Sequence, residues 1–180
     1  EIIKFYGYPG EEHKVLTEDG YILTNFRLAN PGGYPILLLH GMTATSDCWL
    51  VVGPTHDFAF LLWKLGFDVW LWNSRGNMYS NEHVKYKYNQ ERFFNFSVHD
   101  YGYYDTPATI DYILNITNQK TLITLGHSMG AGMYLLAGST RPEYQKKVRL
   151  NILWGQAIMM EHIKRKRGIK WGFKLHVSEL

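Results

Sequence analysis

The segment Gly126-His127-Ser128-Met129-Gly130 has the pattern Gly-x-Ser-x-Gly. A serine hydroxyl is a weak nucleophile until a base activates it. This pattern gives it a place to act, on a sharp strand-to-helix turn that lifts the hydroxyl above a sheet. The flanking positions must lack side chains because the strand and helix backbones pass close by, and Gly126 and Gly130 meet that need. Ser128 would also stand at a helix N-terminus, where free N–H groups and the helix dipole favour developing negative charge. A second cluster, His40-Gly41-Met42, ends an earlier apolar run. A serine attacking a carbonyl needs donors for the oxyanion. In such sheets they come from the residue after the nucleophile and from the loop after the third strand. Those donors would be the backbone N–H groups of Met129 and Met42, each worth about 2.7–4 kcal/mol to the transition state. Gly41 would let that loop come close. His40 precedes the serine, whereas the base of this arrangement follows it in the chain. A structural role, holding the loop through a hydrogen bond, is therefore preferred for His40 over that of a base.

These residues need a scaffold, and the hydrophobic pattern supplies one. Val15 to Thr17 and Tyr21 to Leu28 flank Glu18-Asp19-Gly20, which reads as a hairpin. Pro35 to Leu39 is a continuous apolar run, and Phe67 to Trp72, Thr121 to Leu125 and Val148 to Trp154 read as further short buried runs, the signature of strands buried on both faces. Between them lie helical stretches: Asp57 to Leu65, Val98 to Ile116 (with Pro107 as a kink or a new first turn) and Ser128 to Ser139. Residues 78–96 show no period and read as a long loop. The alternation predicts an α/β fold, a mostly parallel sheet with helices on both faces. Chemistry in such sheets lies beyond the C-terminal strand ends. Three of those ends carry polar or glycine clusters: His40-Gly41, Asn73-Ser74-Arg75-Gly76-Asn77 and Gly126-His127-Ser128.

Composition narrows the function classes. With 46% apolar, 16% aromatic and 19% charged residues over 180 positions, the chain should form one well-buried core. No apolar run approaches the 18 residues of a membrane-spanning helix. A single cysteine, Cys48, excludes an internal disulfide framework. No metal, phosphate or dinucleotide motif occurs, so no cofactor is expected. Residues 161–180 hold six Lys/Arg against two Glu, while the other 160 positions hold thirteen against fourteen acids. A basic tail on a near-neutral body argues against a nucleic-acid partner. Lys164-Arg165-Lys166-Arg167 reads as a solvated charge run. Asn95-Phe96-Ser97 and Asn115-Ile116-Thr117 are glycosylation sequons. His99 and Asp100 suit a helix cap better than catalysis, and Arg75 suits bidentate ties between loops. No Met or charged-then-apolar leader opens the chain, so it is expected to be processed or partial.

Several stretches, in order, resemble the acid lipases, a family that includes gastric lipase, lysosomal acid lipase and insect relatives. They are Tyr8-Pro9-Gly10-Glu11-Glu12-His13, residues 17–23 (Thr-Glu-Asp-Gly-Tyr-Ile-Leu), Leu38-Leu39-His40-Gly41, Asp68-Val69-Trp70-Leu71, Asn73-Ser74-Arg75-Gly76-Asn77, residues 104–113 and the serine turn itself. The resemblance covers about residues 5–158. It implies an α/β-hydrolase fold, hydrolysis of triacylglycerols or sterol esters at a lipid–water interface, and a secreted or lysosomal location. It also implies Ser128 as nucleophile with the Met42 and Met129 amides as oxyanion donors. The family commonly has Leu after His-Gly, Gln after the nucleophile and Gly before Asn-Ser-Arg-Gly; this chain has Met42, Met129 and Trp72.

The resemblance further divides the chain into the N-terminal part of the core, residues 1–154, and the start of a cap region, residues 155–180, with the sheet stopping after about six strands. Family members continue beyond this length, with a triad acid and histidine on later strands. After Ser128 this chain has no Asp; its acids are Glu143, Glu161 and Glu179 and its histidines His162 and His176. No acid-then-histidine pair there has room for the strands that should present it, so these residues alone are expected to be nearly inactive. The alternative is a non-catalytic, lipase-like fragment that binds lipid or a protein partner through an unfinished sheet edge.

Overall fold

The computed structural model describes residues 1–157. A one-turn helix, α1 (Ile2–Phe5), precedes the hairpin strands β1 (Gly10–Leu16) and β2 (Tyr21–Leu28). There follow β3 (Pro35–Leu39), α2 (Phe58–Lys64), β4 (Asp68–Leu71), β5 (Glu82–His83), α3 (Val98–Asp100), α4 (Thr106–Thr117), β6 (Leu122–His127), α5 (Met129–Thr140) and β7 (Val148–Trp154). The sheet runs β1-β2-β4-β3-β6-β7, with β5 added to β2. β4, β3, β6 and β7 are parallel, and β1 and β2 antiparallel. This is the α/β sheet that the apolar runs predict, parallel across β4, β3, β6 and β7 with the hairpin added antiparallel to β4, and its six long strands fall on the six expected segments.

Period-two alternation explains why β3 and β4 read as unbroken apolar runs. Ile36, Leu38, Val69 and Leu71 point to one face, where Phe60 and Leu62 of α2 cover them. Leu37, Leu39, Trp70 and Trp72 point to the other, against Ile110 and Ile113 of α4 and Met129 and Met133 of α5. Every one of these strand residues is at most 2% exposed. The expectation that β7 is buried on both faces is corrected: among the described residues it is the edge strand of the sheet, and Leu150, Ile152 and Trp154 are exposed.

Two further expectations need correction. β1 begins at Gly10, not Val15, because its first half is a polar edge strand paired to β2 through backbone bonds (Gly10↔Leu28 to Lys14↔Thr24) rather than through an apolar face. Residues 78–96 are not all loop: β5 pairs with Tyr21 and Ile22, and Glu91–Phe94 form a 3-10 turn that buries Phe93 beside Tyr21 and Leu23. The helical stretch over residues 98–116 divides into α3, a wide π-turn over Tyr101–Asp105, and α4, with Pro107 marking a new first turn as expected. Pro107, in the first turn of α4, lacks the N–H that would continue a regular helix across this junction. Ser97 and Asp100 make a reciprocal capping box at the start of α3, the role assigned to that aspartate.

Candidate active site

Ser128 lies between the end of β6 and the start of α5 with φ +54° and ψ −118°. A non-glycine residue there is strained, at a cost on the order of 1–3 kcal/mol, and holds only where its surroundings dictate it. The surroundings are backbone. A Cβ on Gly126 would strike the backbone of Gly130 and Ala131, and one on Gly130 would strike the carbonyls of Leu39 and His40. The Ser128 N–H donates to the Trp154 carbonyl at 2.9 Å, so the end of β7 braces the turn from outside. The Ser128 carbonyl accepts from the N–H of Ala131 at 3.2 Å and of Ala157 at 3.3 Å. The serine is half-buried and His127 is exposed.

The loop after β3 packs directly on this turn. A Cβ on Gly41 would lie 3.3 Å from both Ser128 Cβ and His127 Nδ1. Among the described residues, neither the Met42 nor the Met129 N–H has a backbone acceptor. Both residues help wall a groove of about 780 Å³, together with Ser74, Asn77, Phe96 and Tyr101. Met42 is exposed and Met129 buried. Thr43 beside them has φ +60°, and its hydroxyl donates to the Met42 carbonyl at 2.6 Å.

His40 is 1% exposed and stacks on Trp72. Its Nδ1–H donates to the Gly41 carbonyl at 2.8 Å, and its Nε2 accepts from the Ser74 N–H at 3.2 Å. Both ring nitrogens are thus engaged with backbone in the neutral form. Burial holds the imidazole well below its ordinary value, at about 4, although the Gly41 bond favours the charged form. Arg75 is fully buried and grips Asp19 with two nitrogens, at 2.5 and 2.9 Å, and Asp105 at 2.6 and 2.8 Å. Its guanidinium also lies 4.0 Å over the Tyr21 ring. Burial pushes the Asp105 carboxyl up to about 6, against the pull of Arg75.

The sequence brings out the serine turn, the Gly41–Met42 loop and the Asn73–Asn77 cluster, and the fold draws all three to one end of the sheet. It does not bring out Asn25, in the middle of β2, whose side chain accepts from the Asn73 N–H at 2.9 Å. Glu143 lies away from the serine turn and pairs with Arg141. Asn95 and Asn115 are both exposed. Glu161, His162, His176, Glu179 and the Lys164–Arg167 run lie outside the described residues. Among the described residues no three His, Cys, Asp or Glu side chains gather as metal ligands, and no helix is long and apolar enough to cross a membrane.

A strained serine on a glycine-flanked strand–helix turn, in a sheet of this order, defines a class, and the sequence agrees. The profile of the alpha/beta hydrolase fold matches residues 34–164, and that of the partial alpha/beta-hydrolase lipase region matches residues 1–53. The chain belongs to the alpha/beta hydrolase fold family, and the resemblance to the acid lipases holds along most of its length. Among curated relatives, Lipase 1 of Drosophila melanogaster is 43% identical over 148 residues, 82% of this chain and 34% of that protein. Lipase member K and gastric triacylglycerol lipase of Homo sapiens are each 40% identical over 83% of this chain, which covers 40% and 39% of their lengths. The chain thus spans well under half the length of these relatives. Among solved structures, an esterase from Pyrococcus furiosus superposes with a TM-score of 0.62 at 21% identity, covering 97% of this chain and 62% of that one. An esterase from Rhodococcus superposes with a TM-score of 0.57 at 19% identity, over 81% of this chain and 46% of that one. These two superpositions speak for the fold alone.

Proposed function

We propose that this chain carries the nucleophile and oxyanion half of a serine lipase, a carboxylic ester hydrolase acting on triacylglycerols or sterol esters at a lipid–water interface. The observation that carries this is Ser128 at φ +54° on the β6–α5 turn, with the Gly41–Met42 loop packed against it. Ser128 Oγ would attack the ester carbonyl carbon while an imidazole takes its proton. The Met42 and Met129 N–H groups would hold the oxyanion. Collapse expels the alcohol, which takes that proton, and water then cleaves the acyl-enzyme. The lipase names of the relatives support the lipid ester as substrate.

After Ser128 the sequence has no Asp, and its acids and histidines leave no room for the two further strands that present a triad acid and base, so the 180 residues by themselves should be nearly inactive. Loss of the base in such a triad costs about 10⁶ in turnover. The reading extends to a location outside the cell or in the lysosome, which the resemblance to secreted and lysosomal lipases supports, and to glycans on Asn95 and Asn115, which their exposure supports. A second reading rests on β7, whose Leu150, Ile152 and Trp154 are exposed: a non-catalytic fragment that binds lipid or a partner along this edge.

Hydrolysis of an emulsified triacylglycerol, compared between the protein in its longest expressed form and residues 1–180 alone, separates the two. Activity in the first, lost on Ser128→Ala and absent from the second, is the expected result. Inactivity of both forms would leave the binding reading. Lipase-like rates from residues 1–180 would overturn the division of the triad.

A further inference from the structure

The Gly41–Thr45 loop that bears the Met42 amide is held at both ends by one short segment, the tail of β4. At its start, the His40 ring binds the Gly41 carbonyl and accepts the Ser74 N–H. At its far end, the Ser46 N–H donates to Asn73 Oδ1 at 2.9 Å, and Asn73 Nδ2 donates to Ser46 Oγ at 3.1 Å. Asn73 is 0% exposed. Its Oδ1 also accepts from Asn77 Nδ2 at 2.9 Å, and its Nδ2 also donates to the Thr24 carbonyl at 2.9 Å. One carboxamide therefore uses both of its donors and both acceptor positions. Its backbone N–H is fixed in turn by Asn25, which donates to Thr109 of α4 at 3.2 Å. A chain of bonds thus runs from α4 through β2 and β4 to the loop. Between the two anchors the loop holds Thr43 at φ +60°, a conformation that a threonine leaves unless it is restrained.

We propose that Asn73 is a positioning residue for the oxyanion loop, setting where the Met42 N–H points without touching substrate. The inference rests on the esterase reading, since it assigns the loop an oxyanion. An oxyanion donor acts only when its hydrogen meets the place where the charge develops, so a shift of about 1 Å is worth on the order of 10²-fold in rate. Ground-state binding in the groove depends on other residues and should hardly change.

The test uses the protein in its longest expressed form, a soluble short-chain ester, and a boronic acid as probe of the tetrahedral anion on serine. Asn73→Ala is expected to lower kcat by about ten- to a hundredfold, with KM within about twofold, and to weaken the boronate in proportion to kcat. Ser46→Ala removes only one of the two Ser46 bonds, and should shift kcat and boronate affinity in the same direction by less. It keeps the proposal testable if Asn73→Ala does not fold. A folded Asn73→Ala with unchanged kcat and boronate affinity overturns the inference. So does a loss of activity that merely tracks the fraction of unfolded protein in both variants. An unsubstituted protein that neither turns over the ester nor binds the boronate overturns the esterase reading itself, and the inference with it.

Discussion

The turn after β6 and the loop after β3 would supply the two halves of one site, but they are held by different forces. The turn is fixed by hard contact: Gly126 and Gly130 leave no room for a Cβ against neighbouring backbone. The loop is fixed by hydrogen bonds from residues distant in sequence, Asn73 and Ser74 above all. Steric confinement is set within five consecutive residues and shows as a motif. A hydrogen-bonded anchor depends on which strands lie side by side, so it shows only in the fold. The first should be insensitive to pH and intolerant of any added atom, and the second should be sensitive to charge and tolerant of small shape changes.

The largest expected effect is chemical. Ser128→Ala removes the proposed nucleophile and should lower ester turnover by about 10⁶ in kcat, with little change in melting temperature. Turnover rates measured beside thermal unfolding separate the two, and an active Ser128→Ala protein would remove the turn from the mechanism. Next comes the anchor's foundation. Arg75→Met leaves Asp105 and Asp19 without their cation, and Asp105 is fully buried. Stability should fall by about 3–5 kcal/mol, read from urea unfolding. A loss below about 1 kcal/mol would show that the pair is not what holds residues 73–77.

Gly130→Ala pushes a methyl into the carbonyls of Leu39 and His40 and should cost about 3 kcal/mol, since backbone on both sides must move. Gly138, whose added Cβ meets nothing nearer than 3.7 Å, serves as the control, and Gly138→Ala should be neutral or slightly stabilising. Equal effects at the two positions would refute the steric account of the turn. The last effect is a pH dependence, spread over more than two pH units. His40 in the folded protein titrates near 4, below its ordinary value of 6.5. The unfolded chain then binds more protons between those values, so the stability due to a neutral His40 is present above about pH 6.5 and is lost as the pH falls towards 4. The loss approaches about 3 kcal/mol. His40→Gln should flatten this part of the stability curve, whereas an unaltered slope would assign it to other groups.

What was legible in the sequence follows the same division. The strands β3, β4 and β6 announce themselves because burial on both faces leaves mostly apolar residues, whereas β7 is exposed over most of its length. Gly-x-Ser-x-Gly announces the turn because only glycine fits there. The polar half of β1 was not legible, since an edge strand solvated on one side carries Glu11, Glu12 and Lys14 and has no apolar period. The new first turn at Pro107 was legible, but the π-widening over Tyr101–Asp105 ahead of it was not, because helical spacing continues there. Asn73 could be noted as part of a strand-end cluster, but not its bond to Ser46, 27 residues away. Asn25 gave no signal, because a single polar residue within a strand is usually a solvent-facing one.

The central claim is that the β6–α5 turn presents an activated hydroxyl beside waiting amides. Labelling the longest expressed form with a fluorophosphonate, followed by peptide mapping, tests it most directly. The account predicts one adduct, on Ser128, absent after denaturation and absent from Ser128→Ala. Ester hydrolysis by a protein whose Ser128 stays unlabelled, or whose adduct maps to another residue, would contradict it.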